Sequence, residues 1–183
     1  TKTRAVDVFI PIQKGEVSIY SCGPTVYHYA HIGNLRAYVF ADVLRRMFVH
    51  AGYTVNHVIN ITDVGHNTDD GDNGEDKMEK GSRREGKSAW ELALFYEEAF
   101  KKDLEMLSID TSMYTFPRAT DNIPEQIALI EVLEEKGYTY TTSDGIYFDT
   151  SKFPHYADLA KLDIKGLQSG ARVEENHDKK NIT

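Results

Sequence analysis

Between Val17 and Ile61 a strand, a loop, a helix and a second strand follow one another closely, and few folds accept that order. Val17-Ser18-Ile19-Tyr20-Ser21 alternates and is rich in strand formers. Gly23-Pro24 ends it, because the pair breaks regular backbone pairing. From Leu35 to Ala51 the pattern turns helical. Asp42, Arg45, Arg46 and His50 recur at three- and four-residue spacing as one polar stripe. Leu35, Tyr38, Val39, Val43, Leu44, Met47 and Phe48 make most of the remaining circumference apolar, which predicts a helix covered on nearly all sides. Gly52 suits its C-terminal stop. Tyr53 to Ile61 then reads as a second strand. A strand, helix and strand at this spacing form a βαβ unit with parallel strands and a right-handed crossover, so the fold class is α/β.

Open α/β sheets bind ligands beyond the carboxyl ends of their strands. Here those ends deliver Cys22 from the first strand and Thr62-Asp63 from the second. The intervening helix, beginning near Asn34, aims its amino terminus at the same crevice. Its unpaired N–H groups and partial positive charge suit a phosphate.

The rest of the chain is less regular. His66 to Gly86 is polar, charged and punctuated by Gly71, Gly74, Gly81 and Gly86, and is expected to be a solvated loop. Within it, Asp69-Asp70-Gly71-Asp72-Asn73-Gly74 has the look of a calcium loop. The register fails: counting from Asp69, the third position is Gly71 and the twelfth is Lys80, where carboxylates are needed. Ser88-Ala89-Trp90-Glu91 is a capping box opening a long helix with Tyr96, Ala99, Phe100, Leu104 and Leu107 as its stripe. Asn122 and Glu125 suit the start of another helix from Ile123 to Lys136, and Gly137 its end. Tyr138–Thr141 and Ile146–Asp149, around Ser143-Asp144-Gly145, read as a hairpin. Glu174 to Lys180 carries no clear pattern.

Composition narrows the function classes. No run approaches the roughly 18 apolar residues a membrane span needs, so no membrane partner is expected. The start, Thr1-Lys2-Thr3-Arg4, leads into no apolar export segment. A single cysteine among 183 residues excludes an intrachain disulfide, and a cytoplasmic monomer is expected. The net charge of −8 repels a polyanion as a whole. Nucleic acid would need a local basic patch or another part of a longer protein. The densest basic cluster, Lys77 to Lys87, is interleaved with glutamates.

The chemistry concentrates in Cys22-Gly-Pro-Thr-Val-Tyr-His-Tyr-Ala-His-Ile-Gly-Asn34. His31-Ile32-Gly33-Asn34 resembles the His-Ile-Gly-His signature of class I aminoacyl-tRNA synthetases and related nucleotidyl transferases. The whole segment, with a cysteine nine residues before the signature histidine, resembles the cysteinyl-tRNA synthetases. So do Asn60-Ile61-Thr62-Asp63, Pro117-Arg118-Ala119-Thr120 and Ser169-Gly170-Ala171-Arg172-Val173. The resemblance implies the first half of a Rossmann-like catalytic domain over residues 1–114, followed from residue 115 to 183 by the start of an α+β connective insertion. It implies a ligase that uses ATP to activate L-cysteine and passes it to tRNA(Cys), of which this chain is the amino-terminal part, inactive by itself. A related cysteine ligase of mycothiol biosynthesis would share the same motifs, and a non-catalytic, partner-binding fragment is the alternative of another class.

Residue roles follow from the resemblance and from chemistry. Activation attacks the α-phosphate of ATP and expels pyrophosphate, so prepositioned donors lower the barrier. His31 and Asn34 are the catalytic candidates. Gly23, Pro24 and Gly33 join them as ATP-binding residues, Gly33 by leaving room for the nucleotide. Asn34 stands where the family carries a second histidine; it keeps a neutral donor and cannot become cationic, and it also suits a plain N-cap. Thr25 and Thr62 are substrate-binding candidates. Thr62 holds the ammonium of the amino acid or simply belongs to a turn. Cys22 is either a small buried hydrophobe or, as the resemblance implies, one of four ligands of a zinc ion that would prefer a thiolate to serine's hydroxyl. The other zinc ligands are expected beyond residue 183. The lysine-rich closing loop of the family is missing; Asp76-Lys77-Met78-Glu79-Lys80 only partly resembles it and is read as a charged loop. His28 and His66 match no family ligand and read as surface histidines.

Overall fold

The computed structural model describes residues 3–65, 77–143, 145–156 and 158–161. Strand β1 (Glu16–Ser21) and strand β2 (Thr54–Ile59) pair in parallel, from Glu16 opposite Thr54 to Ser21 opposite Ile59. Helix α1 (Ile32–His50) makes the crossover between them. The βαβ unit is therefore present as the sequence implies. Residues 115–118 run along the other side of β2: Ile59 N donates to Thr115 O at 2.9 Å and Ile61 N to Pro117 O at 2.8 Å. Among the described residues, that leaves β2 between two neighbours and β1 with one.

The chain falls into two compact units. One comprises residues 10–69 and 73–122; the other comprises residues 1–9, 70–72 and 123–183. The core of the first gathers Val26, Tyr38, Ile59 and Ile61 against helix α3 (Ala89–Met106), which contributes Leu92, Tyr96, Phe100 and Leu104. Ser88 and Glu91 cap α3 reciprocally, as the capping box implies.

Two expectations are corrected here. Helix α1 is not covered on nearly all sides. It buries only Tyr38, Ala41 and Asp42, while Phe40 (69%) and Val43 (60%) are exposed and Val39 and Met47 are also open to solvent. A sheet of two strands plus a short bridging segment covers only one flank of a helix, so the apolar circumference finds no second surface among the described residues. The polar stripe, in contrast, turns partly inward. Asp42 is buried and takes hydrogen bonds from Arg45 (3.0 Å), Arg46 (2.6 Å) and the Tyr114 hydroxyl (2.6 Å). Burial alone would raise the Asp42 carboxyl, but the bonds from Tyr114, Arg46 and Arg45 outweigh it and hold it low. Burial and the Asp42 bond push the Tyr114 phenol up to about 12.

The second correction is helix α2 (Lys77–Glu85), which replaces the carboxyl-terminal part of the expected loop and includes all of Lys77-Met78-Glu79-Lys80. Met78 is buried, and Gly81 lies so close to α3 that a Cβ there would sit 2.5 Å from a Leu92 methyl. His66, the stretch Asp69 to Gly74, Ser169 to Val173 and the tail from Glu174 lie outside the described residues.

In the second unit, helix α4 (Ile123–Glu135) ends at Gly137, whose φ of +73° favours glycine. Strands β3 (Thr139–Thr141) and β4 (Ile146–Phe148) form the expected antiparallel hairpin, with Tyr140 stacked on Tyr147. Among the described residues, no helix is long and apolar enough to cross a membrane.

His57 sits in β2 under the sheet end. It is buried, its Nε2 lies 2.8 Å from Ser21 Oγ, and its Nδ1 has no partner. Burial first, then the nearby Arg45 charge, hold its pKa below the usual 6.5. The fold thus favours neutral imidazole, while the unfolded chain takes up a proton near 6.5, so stability falls as pH drops below that value. Asp42 and Glu97, both held low, add losses only at more acid pH. Thermal melts should show a midpoint level above pH 7 and declining from 6.5 toward 5. His57→Gln should flatten that interval; an unchanged slope in the variant would assign the titration elsewhere.

Candidate active site

The site is built where β1 and β2 end. Gly23 N donates to Asn60 Oδ1 at 2.8 Å, Thr62 N to Pro24 O at 3.0 Å, and Val26 N to Thr62 O at 3.1 Å. The two segments thus stay zipped together past the regular strands, and Thr25 and Thr62 form a further parallel bridge. A Cβ at Gly23 would lie 1.5 Å from Asn60 O, so glycine is required there by the neighbouring backbone itself. Asn60 also donates from Nδ2 to Thr62 Oγ1 at 3.1 Å.

A second layer holds this end in place. Asp63, which is buried, accepts from Thr120 N (3.1 Å) and Thr120 Oγ1 (2.5 Å). Arg118 Nε donates to buried Glu97 at 2.6 Å, and Lys101 reaches the same carboxylate at 2.7 Å. Sequence reasoning did not give Asn60, Asp63, Arg118 or Thr120 any mechanical task. They lie in Asn-Ile-Thr-Asp, which sequence reading placed at the crevice through Thr62-Asp63, and in Pro-Arg-Ala-Thr, noted for its resemblance, and the two motifs bond one another.

Above the strand ends opens a cavity of about 330 Å³. Its lining includes five expected site residues: Gly23, Pro24, Thr25, His31 and Asn34. Tyr38, Tyr96 and Phe100 form apolar wall, and Val26 to Ala30 complete the lining. His28, read as a surface histidine, is exposed but also lines the cavity and stacks on Tyr96 with rings 5° from parallel. Cys22, Gly33 and Thr62 adjoin lining residues without lining the cavity themselves.

Helix α1 begins three residues earlier than the sequence pattern suggests. Its N-cap is His31, and Asn34 occupies the third helical position. His31 Nδ1 accepts from Gly33 N at 3.0 Å, and Asn34 Oδ1 accepts from His31 N at 3.1 Å. A backbone amide can only donate, so Nδ1 is an acceptor and the proton of the neutral ring sits on Nε2. A Cβ on Gly33 would come within 2.8 Å of His31 Cε1. The room that Gly33 leaves is therefore taken by the histidine ring. The cap engages Nδ1 and Oδ1, leaving the His31 Nε2–H and the Asn34 amide as donors at a helix tip that already favours anions.

Cys22 is exposed and reduced. Burial, then the nearby Cys22 thiol, raise the pKa of Tyr38, which ties the cysteine to the cavity wall. As a solvent-facing soft donor it suits a zinc ligand. Among the described residues, no three His, Cys, Asp or Glu side chains come together as a metal site.

A family model described as the class I (C) tRNA synthetase catalytic domain matches residues 8–183. The chain belongs to that family. Curated relatives agree: a cysteine–tRNA ligase 1 of Burkholderia lata is 58% identical over 173 residues, covering 94% of this chain and 37% of the relative. Cysteine–tRNA ligases of Treponema denticola and Pyrococcus furiosus are 50% and 44% identical, covering 94% and 99% of this chain and 35% and 36% of theirs. The class I chain thus spans little more than a third of the length of these relatives. Among solved structures, the ternary complex of Agrobacterium radiobacter K84 agnB2 LeuRS-tRNA-LeuAMS aligns with a TM-score of 0.55 at 22% identity, over 72% of this chain and 16% of that one. That likeness supports the Rossmann-like α/β fold.

Stability should separate the two glycine-dependent contacts. Gly23→Ala must displace the Asn60 backbone and should cost about 3 kcal/mol or more in urea unfolding. His31→Ala loses only a helix cap, about 1 kcal/mol. Equal, small losses would mean that the strand ends are not locked at Gly23.

Proposed function

We propose that this chain is the amino-terminal portion of a cysteine–tRNA ligase, which activates L-cysteine with ATP to cysteinyl-adenylate and transfers it to tRNA(Cys) in the cytoplasm. The observation that carries the reading is the shared cavity, where the joined ends of two parallel strands meet a helix tip whose two cap side chains retain free N–H donors. In this reading His31 and Asn34 donate to the phosphate oxygens on which charge grows as pyrophosphate leaves. Gly23 and Pro24 form the floor beneath the nucleotide, and Gly33 lets the His31 ring fold over the helix tip. Thr25 faces the amino acid from the cavity wall, and Thr62, bonded to Asn60, stands beside it. Cys22 supplies one thiolate to a zinc ion, and zinc, when bound, selects a sulfur substrate over an oxygen one. Residues 1–114 act as the first half of the catalytic domain, and residues 115–183 lead into an insertion. The enzyme works as a monomer.

Cysteine-dependent exchange of labelled pyrophosphate into ATP by the full-length protein tests this. His31→Ala should lower the exchange rate by about 10²- to 10³-fold, the usual effect of one lost transition-state donor. Asn34→Asp is more discriminating. Its carboxylate still accepts the His31 N–H bond and suits the helix dipole, so stability should stay within about 0.5 kcal/mol. It replaces an amide donor with a charge that repels phosphate, so exchange should fall about 100-fold or more. Cys22→Ser should weaken the preference for cysteine over serine. No exchange by the unaltered protein, or exchange indifferent to all three changes, overturns the assignment.

A further inference from the structure

The chain's net charge of −8 opposes nucleic acid, and its densest basic stretch looks neutralised by glutamates when read as sequence. Folding sorts those charges. In α2, Lys80 and Arg84 stand four residues apart on one face. Arg84 Nη2 donates to Tyr27 O at 2.8 Å and to Tyr96 Oη at 3.3 Å, which places that face against the aromatic wall of the cavity. Of the two glutamates in the stretch, Glu85 is turned to a local task, accepting from Tyr96, Arg84 and Lys87, and Glu91 just beyond it caps α3 through Ser88.

Beside these cations lies a cluster of rings. Tyr29 (54% exposed) meets Phe95 (41% exposed) edge-on at 6.1 Å and Tyr96 at 5.1 Å, and Lys87 Nζ sits 4.2 Å from the Phe95 ring centre. Among the described residues no ring lies parallel to Tyr29. Tyr29 and Tyr96 also line the cavity, so the patch and the cavity are continuous.

Half-exposed rings without stacked partners, flanked by lysine and arginine, are what unpaired bases and their phosphates bind. We propose that Tyr29 and Phe95, with Lys80 and Lys87, form a stacking platform for the single-stranded 3′ end of tRNA as it enters the cavity. The inference rests on the proposed function, which requires the terminal ribose to reach the activated amino acid. It also resolves the charge problem: a small platform contacts a few unpaired nucleotides, whereas the acidic remainder of the chain need not approach the duplex.

The test is equilibrium binding of intact tRNA(Cys), and of the same tRNA lacking its single-stranded terminal nucleotides, to the full-length protein. The unaltered protein should bind intact tRNA about tenfold tighter than the truncated form, the worth of a stacked base. Phe95→Leu should remove most of that difference and Phe95→Tyr should keep it. Lys80→Ala, at an exposed position, should lower the salt dependence by about one counterion with intact tRNA only. Equal weakening toward both tRNAs, or none, overturns the platform. Pyrophosphate exchange by Phe95→Leu should be unchanged; a raised KM for ATP would instead assign the ring to the adenine of ATP and overturn the proposal. Absence of exchange in the unaltered protein would sink the ligase reading, whereas a retained exchange with no tRNA effect sinks only the platform.

Discussion

Everything in the site depends on how closely two parallel backbones approach each other at Gly23 and Asn60. Parallel strands diverge where their pairing ends, and here the divergence is postponed. The Asn60 side chain reaches back to Gly23, and the chain then bonds Pro24 to Thr62 and Val26 to Thr62. A side chain at position 23 would collide with the Asn60 carbonyl. Because the contact is backbone against side-chain amide, it fixes the direction in which the chain leaves β1. It therefore fixes where Cys22 is displayed and where the loop to α1 begins. Thr120 and Arg118 brace the other strand through Asp63 and Glu97, so the end of β2 cannot relax away from its partner without breaking buried charge-assisted bonds.

Much of this was legible beforehand because it is written in local chemistry. Alternation ended by Gly-Pro marks β1, and the strand-forming run before Asn-Ile-Thr-Asp marks β2. The Ser-Glu box opens α3 where it was expected. The failures are equally physical. The start of α1 was misplaced because histidine is an unusual N-cap and its cap bond uses a ring nitrogen that no propensity scale counts. The sequence reads α2 as loop because Gly81 lowers helix propensity and Met78 alone makes no apolar stripe, whereas the helix is held by buried Met78 and the close contact of Gly81 with α3, which are tertiary. The exposure of Phe40 and Val43 was not legible at all. An apolar helix face records that a covering surface suits it; it does not record whether the chain at hand provides one.

Asp42 shows the complementary error. Its spacing with Arg45 and Arg46 placed it on a stripe that patterning alone assigns to solvent, yet it is buried, and its two arginines and Tyr114 satisfy it there. The arginine stems lie over the helix while their heads meet the carboxylate. Arg45 also sits over the Tyr114 ring, 5.4 Å from its centre. A polar stripe becomes a core element when its members neutralise one another, and this one ties α1 to the segment carrying Tyr114 just before it runs along β2. The helix whose tip meets the cavity is thus anchored at its middle.

The described residues hold two capping boxes, and comparing them shows what the site requires. At α3 the box is Ser88 with Glu91, and its carboxylate lends a negative charge to the helix start. At α1 the box is His31 with Asn34, closing the same two bonds with neutral groups. Both are sound as helix ends; they differ in what they leave over. The serine–glutamate pair leaves a carboxylate, which repels a phosphate and cancels the helix's own positive end. The histidine–asparagine pair consumes one acceptor from each side chain and leaves N–H donors at a tip whose backbone amides also point outward. The structural task therefore filters the protonation and rotamer states of these residues, so that the atoms remaining are of one electrical sense. A helix start built this way is preorganised for an anion before any anion arrives, and that is the condition under which donors act on a barrier instead of merely on binding.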